Sequence, residues 1–247
     1  MVKFYESSYS YDYPFPAVTL AYFLRYPNPY SRHVQSTDVI ERHFDPVTQT
    51  LKTTRLHLKR SKIPAPVLKL LPRSLLGANA NGDSQAYILE TSVVNLKEGW
   101  MTTQSKNLEW TGVLSVVEKQ EYRRPPRQES FLAAAEVATA PRGLLDETEG
   151  ERTEVKTIVT LHSPLGESRW KRARAAVSVD DEEEQPARLG FFRSWSTASI
   201  RKSIEIIGLK RATKSQPNAK EGMKVVLERM RQGGLVAVLE GMRRDRE

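Results

Sequence analysis

The chain has no cysteine. That absence removes disulfides, thiol nucleophiles and cysteine metal sites together, while excluding no compartment. No apolar run reaches the roughly 18 residues needed to cross a bilayer as a helix. Residues 1–13 lack both the apolar block of a signal peptide and the Arg-rich amphipathic character of a transit peptide. There is no glycine-rich phosphate loop followed by Lys and Ser or Thr, no dinucleotide fingerprint, no His-Glu-x-x-His and no nucleophile elbow. The four histidines, His33, His43, His57 and His162, are dispersed, which argues against a zinc site. Nothing here asks for catalysis, a metal or a cofactor.

What is abundant is positive charge. The 247 residues carry a formal net charge of +8 and a pI near 9.6. Such a balance points to an acidic partner: nucleic acid, an anionic membrane surface or a phosphorylated ligand. With 39% hydrophobic residues and a mean hydropathy of −0.52, the chain reads as soluble, with enough length for one large domain or two small ones.

Residues 1–13 alternate loosely and predict a strand. Phe15, Val18 and Tyr22 recur at helical spacing, so a short amphipathic helix follows, with Pro16 near its start and Pro27 beyond its end. Residues 33–44 and 50–60 predict a hairpin closed by Asp45–Thr48. In the second of these strands Thr54, Leu56 and Leu58 share one face; Thr53, Arg55 and His57 share the other. The proline-bounded segment 63–77 predicts a short helix or loop presenting Val67, Leu68, Leu70, Leu71, Leu75 and Leu76, either as a cap on the core or as a membrane-touching lid. Strands at 84–96, 99–108 and 111–122 continue an antiparallel meander, and 154–161 closes it. Residues 123–152 read as an insertion with an Ala-rich helical turn at 131–139. Residues 163–190, with the acidic run at 180–184, read as a solvated segment. The last third is helical. Pro217, with Ser215 as a possible cap, predicts a kink or a division into two helices, and Gly233-Gly234 ends the pattern before a short apolar tail.

The stretch Arg25–Val34 carries two prolines, an Asn and a Ser, which force a rigid corner between helix and strand. Arg25, Arg32 and His33 surround it. Lys59 and Lys62 sit where the third strand runs into the Leu-rich segment, and Lys210, Arg211, Lys214 and Lys220 lie on the C-terminal helix. If these groups meet at one mouth, they form a polar gate suited to a phosphate. A set of separately solvated cations is the other reading.

On its motifs the chain resembles the PRELI-domain family of mitochondrial intermembrane-space lipid carriers. The matches are Met1-Val2, the whole of Arg25–Val34, Thr53–Leu56, Glu90–Asn95, Asn107-Leu108, Glu118 with Tyr122, and Asn218–Gly222. The resemblance implies an α+β fold: a curved antiparallel sheet of about seven strands wrapped around a long C-terminal helix and enclosing a lipid tunnel. It implies a single domain over 1–232, with inserted segments near 123–152 and 163–190 and a tail at 233–247. Segment 63–77 would be the mobile lid. The head-group contacts carried over are Arg25, His33, Lys59, Lys62, Lys214 and Asn218; Arg32 has no counterpart. The form of the corner is similar to the branch that carries phosphatidic acid toward cardiolipin synthesis, with phosphatidylserine as the alternative lipid. A small twin-CX9C partner and peripheral contact with anionic membrane are implied as well. A basic RNA-binding module is the alternative of another class, although no RNP-type aromatic motif is present.

Overall fold

The computed structural model describes residues 2–63, 65–70, 82–125, 151–165 and 197–246. Seven strands form one antiparallel sheet: β1 (Lys3–Tyr11), β2 (Val34–Asp45), β3 (Thr50–Lys62), β4 (Asp83–Asn95), β5 (Trp100–Asn107), β6 (Ser115–Arg123) and β7 (Thr153–His162). Their spatial order is β1-β7-β6-β5-β4-β3-β2. Consecutive strands from β2 to β7 are therefore neighbours, and β1 returns to pair with β7, as a curved meander requires. The turns are set by local chemistry. Asp45 accepts from the backbone N–H of Val47 at 2.9 Å and from the Thr48 hydroxyl at 2.7 Å. Asn107 accepts from Val116 N at 2.8 Å and donates to the Leu114 carbonyl at 2.9 Å, which pins the β5–β6 connection.

Helix α1 (Phe15–Phe23) opens with Pro16 in its first turn, where a missing N–H costs nothing. It was expected to be amphipathic. Instead Phe15, Ala17, Val18, Thr19, Ala21 and Tyr22 are all buried, because the helix is sandwiched between the sheet and the C-terminal helix. A helix apolar all round is a core helix. Of segment 63–77, Ile63 and helix α2 (Ala65–Leu70) are described.

Helix α3 (Thr197–Arg244) crosses the open face of the sheet. Pro217 lies inside it without a break in the backbone dihedrals, so the expected division there is not found. Ser215 does not cap a new start; its hydroxyl donates back to the Ala212 carbonyl at 3.0 Å. The interruption falls at Gly233 and Gly234. Gly234 has φ 61° and ψ −151°, a region open essentially to glycine. Past it the chain turns helical again and folds back. Val238 is fully buried in the main core beside Met242, and Arg229 donates to the Asp245 carboxylate at 2.7 Å.

Two apolar clusters result. The larger joins α1, the inner face of the sheet and the middle of α3 through Phe15, Tyr22, Met101, Tyr122, Met223 and Leu227. The smaller joins α2 to the N-terminal part of α3 through Ile63, Val67, Val113, Ile200 and Ile204. The expected helical turn at 131–139 and the polar segment near 163–190, from residue 166 onward, lie outside the described residues.

Candidate functional site

The corner after α1 is held by its own backbone and by α3. Asn28 is buried; its amide donates to the Arg25 carbonyl, and its Oδ1 accepts from Tyr30 N at 2.9 Å. Ser31 N donates to Asn28 O and Val34 N to Ser31 O, both at 3.0 Å, and Arg60 N donates to His33 O at 2.8 Å. The corner is thereby tied to the end of β3. Gly222 of α3 packs directly on Asn28: a Cβ there would stand 2.8 Å from the Asn28 Oδ1. Two short motifs almost 200 residues apart thus meet face to face.

Behind the corner lies a charged cluster that sequence reasoning missed. The polar face of β3, not the apolar one, points inward: Thr53, Arg55 and His57 are buried, while Thr54, Leu56 and Leu58 are half-exposed. Glu90 is paired in register with Arg55 across β3 and β4. Its Oε1 accepts from Arg55 Nε at 2.8 Å and from Arg55 Nη2; its Oε2 accepts from Arg25 Nη2. His57 Nε2 is 3.2 Å from the same Oε2, and His57 Nδ1 lies 2.9 Å from the Thr37 hydroxyl. Against the cost of burial, Arg25, a hydrogen bond from His57 and Arg55 hold the Glu90 carboxyl well below the usual range. Burial holds the His57 pKa below 6.5, so the ring is neutral at pH 7. Two guanidiniums then share one carboxylate, which leaves one positive charge uncompensated. The excess emerges at Arg25, stacked 3.7 Å from the Tyr22 ring centroid, and Arg25 is the less enclosed of the two, with a side chain 14% exposed against 3% for Arg55.

A cavity of about 470 Å³ opens beyond Arg25, between the sheet and α3. All six residues expected to contact a head group line it: Arg25 and His33 from the corner, Lys59 and Lys62 from the end of β3, and Lys214 and Asn218 from α3. Arg211, noted in the sequence only as a helix cation, lines it too. Tyr9, Tyr11, Tyr26, Tyr30 and Tyr122 add aromatic faces to the wall, and one carboxylate, Glu118, is present. Desolvation at the wall, then Lys59 and Arg211, pushes the His33 pKa down to about 4. His33 is therefore a neutral hydrogen-bonding group at pH 7. Lys220 does not line the cavity; its ammonium sits 4.9 Å from the centroid of Tyr9.

A family model described as PRELI-like matches residues 16–146, slightly more than half of the chain. The chain belongs to the PRELI-like family. Curated relatives agree. Protein UPS1, mitochondrial, of Saccharomyces cerevisiae is 36% identical over 137 residues, 56% of this chain and 73% of that one. Protein UPS2, mitochondrial, of the same yeast is 30% identical over 125 residues, 51% of this chain and 50% of that one. PRELI domain-containing protein 1, mitochondrial, of Gallus gallus is 32% identical over 118 residues, 48% and 51% of the two chains. Membership of the PRELI-like family supports mitochondrial lipid transfer as the general class of activity.

The expected lid contacts divide. Val67 and Leu68 belong to α2, and both pack into the smaller apolar cluster, Val67 being 8% exposed. Leu70 ends the helix. Leu71, Leu75 and Leu76 lie outside the described residues. Among the described residues no group of acidic and histidine side chains is arranged to hold a metal, and no helix is long and apolar enough to cross a membrane. The overlooked Arg55 and Glu90 did leave a signal in the sequence. Both fall inside the matched stretches Thr53–Leu56 and Glu90–Asn95, and an arginine amid the alternation of β3 is unusual on an inward face.

Proposed function

We propose that this PRELI-like chain is a non-enzymatic phospholipid carrier that moves phosphatidic acid between the outer and inner mitochondrial membranes, supporting cardiolipin synthesis. The supporting observation is that Arg25, His33, Lys59, Lys62, Lys214 and Asn218, drawn from the corner, β3 and α3, line one cavity whose wall carries the charge Glu90 leaves unmatched. A terminal phosphate offers up to two negative charges and several acceptor oxygens, which suits convergent Arg and Lys donors. Phosphatidylserine, the alternative lipid, brings an ammonium group into the same cations, with Glu118 as its single countercharge in the lining.

The cavity wall is aromatic and cationic rather than aliphatic. The acyl chains therefore belong where the smaller cluster now packs, between α2 and α3, and α2 lifts to admit them. Burial of each CH₂ stabilises by about 0.8 kcal/mol, but the bilayer gives the same burial. Extraction is then close to balanced, and the head-group contacts decide which lipid leaves the membrane. Basic residues at the mouth draw the carrier to an anionic surface, an attraction that salt weakens. The setting proposed is the intermembrane space, with a small twin-CX9C protein as partner.

The test is transfer between liposomes offered both lipids, with native mass spectrometry of the purified protein to identify what co-purifies. Phosphatidic acid is the expected cargo in both. Equal transfer of the two lipids would remove the head-group assignment. Tight RNA binding without lipid extraction would replace the carrier by a basic RNA-binding module.

A further inference from the structure

On the other side of Tyr26 lies a second concavity, larger than the first. It measures about 600 Å³ and sits between the start of β2 and the end of α3. Arg32 enters it from the corner, Arg42 from β2, and Arg244 and Arg246 from the end of α3, over a wall that includes Phe23 and Tyr26. Arg55 also reaches this wall, but its charge is committed to Glu90. One acid lines the cleft, Asp245, and its carboxylate is taken by Arg229.

Among the described residues, Arg32, Arg42, Arg244 and Arg246 have no ion-pair partner. Arg42 is held only by a hydrogen bond to the Thr53 hydroxyl at 3.4 Å and by the face of Phe23, 5.7 Å from its centroid. A single arginine in water needs no explanation. Four that converge on one concave surface repel each other, and the concavity focuses their field. The carbonyl end of α3 offsets roughly half a charge at most, and only for the arginines in or beside its last turn. Arg32 and Arg42 receive none of that compensation.

We propose that this cleft is a second anion site, distinct from the head-group cavity, and that it takes a phosphate group in the forks of Arg32, Arg42 and Arg244. The ligand class is a multiply charged phosphate, presented either by a membrane lipid head group or by a soluble compound. Guanidinium pairs bind such groups through two donors each, and the aromatic wall suits a small apolar attachment beside the phosphate. The site is independent of the carrier reading: its loss leaves the head-group cavity intact.

The experiment titrates the full chain with inorganic pyrophosphate by calorimetry. It compares the wild type with R32E/R244E, with the head-group variant K59E/K62E, and with K106E/K119E, a charge-matched control on the exposed faces of β5 and β6. Arg32 and Arg244 are exposed and unpartnered, so their replacement leaves the fold in place. The expected result is a loss of at least about tenfold in one pyrophosphate affinity in R32E/R244E, with that event retained in K59E/K62E and in the control. Co-sedimentation with phosphatidylcholine vesicles containing phosphatidylglycerol then assigns the source. A loss of vesicle binding in R32E/R244E beyond that of the control assigns the cleft to a lipid head group. Unchanged vesicle binding with lost pyrophosphate binding assigns it to a soluble phosphate. If R32E/R244E matches the control in both measurements, there is no second site.

Discussion

The two cavities that meet at Tyr26 are made from the same kinds of residue and differ in what those residues already hold. In the cavity proposed for the head group, Arg25 is anchored from behind by Glu90, and Glu90 is held in turn by Arg55, with His57 beside it. In the cleft beyond Tyr26, the lining acid, Asp245, is paired with Arg229, and among the described residues Arg32, Arg42, Arg244 and Arg246 have no carboxylate partner. In the first, one arginine, Arg25, is held in place by a buried carboxylate; in the second, Arg32, Arg42, Arg244 and Arg246 are all exposed. The lesson is that counting cations locates both but ranks them wrongly. Selectivity needs donors whose geometry is fixed before the ligand arrives. Adjacent residues Arg32 and His33 show the difference most simply, since the corner sends one to each cavity.

The comparison breaks most visibly if Glu90 is removed. Glu90→Gln leaves Arg25 and Arg55 buried without a full countercharge, and removing one partner of a buried ion cluster costs about 3–5 kcal/mol. Urea denaturation should show that loss, and no change of such size is expected at Asp245, whose pair with Arg229 lies nearer the surface. A wild-type midpoint for Glu90→Gln would mean that the cluster does not anchor the cavity. Next in size, Gly222→Ala forces a methyl group into Asn28 and should cost about 1–3 kcal/mol by overpacking, with a matching fall in phosphatidic acid transfer because the corner carries Arg25 and His33. Stability lost without any loss of transfer would separate the corner from the site.

Lys59→Glu sharpens the comparison from the functional side. Phosphatidic acid transfer between liposomes should fall by about tenfold or more, since a carboxylate then faces the phosphate, while the thermal midpoint stays near that of the wild type. Arg32→Glu, on the far side of Tyr26, should leave the transfer rate within about twofold, as expected for a surface charge away from the ligand. Equal losses from the two would merge the cavities into one electrostatic funnel.

The smallest effect is in pH. The folded His33 pKa, about 4, lies below the ordinary 6.5, so between these values the unfolded chain binds the extra proton. Its contribution to stability is complete above pH 6.5 and is lost as pH falls toward 4. His57 shifts in the same direction and adds to the fall. His33→Gln should flatten part of that decline in a series of melting curves. A bound phosphate favours the imidazolium, so ligand affinity should rise in the same interval as pH drops, and His33→Gln should abolish that rise.

Much of the architecture was legible because it rests on local rules. The two-residue alternation and the turn residues placed all seven strands to within a few residues, and Pro27 marked the end of α1. Pro217 misled for a physical reason. A proline removes one helical hydrogen bond, but a long helix held against a sheet tolerates the loss, whereas the dihedrals of Gly234 suit essentially glycine alone. The six cations and polar groups of the cavity are legible in the sequence through motif and through position at element ends. Arg55 and Glu90 are not, because an inward-facing charge is visible only when its partner on the next strand is known.

The amino-acid sequence by itself therefore determined the order and kind of the elements, the rigid corner at Arg25–Val34 and the excess of positive charge. Those follow from backbone stereochemistry, side-chain periodicity and composition, which act over a few residues. Which face of β3 points inward, which arginines are already paired, and that Arg32 and His33 serve different cavities were decided by tertiary structure alone. The reason is that desolvation and Coulomb interactions depend on distance in space, and β3, β4, the corner and α3 come together only in the folded chain.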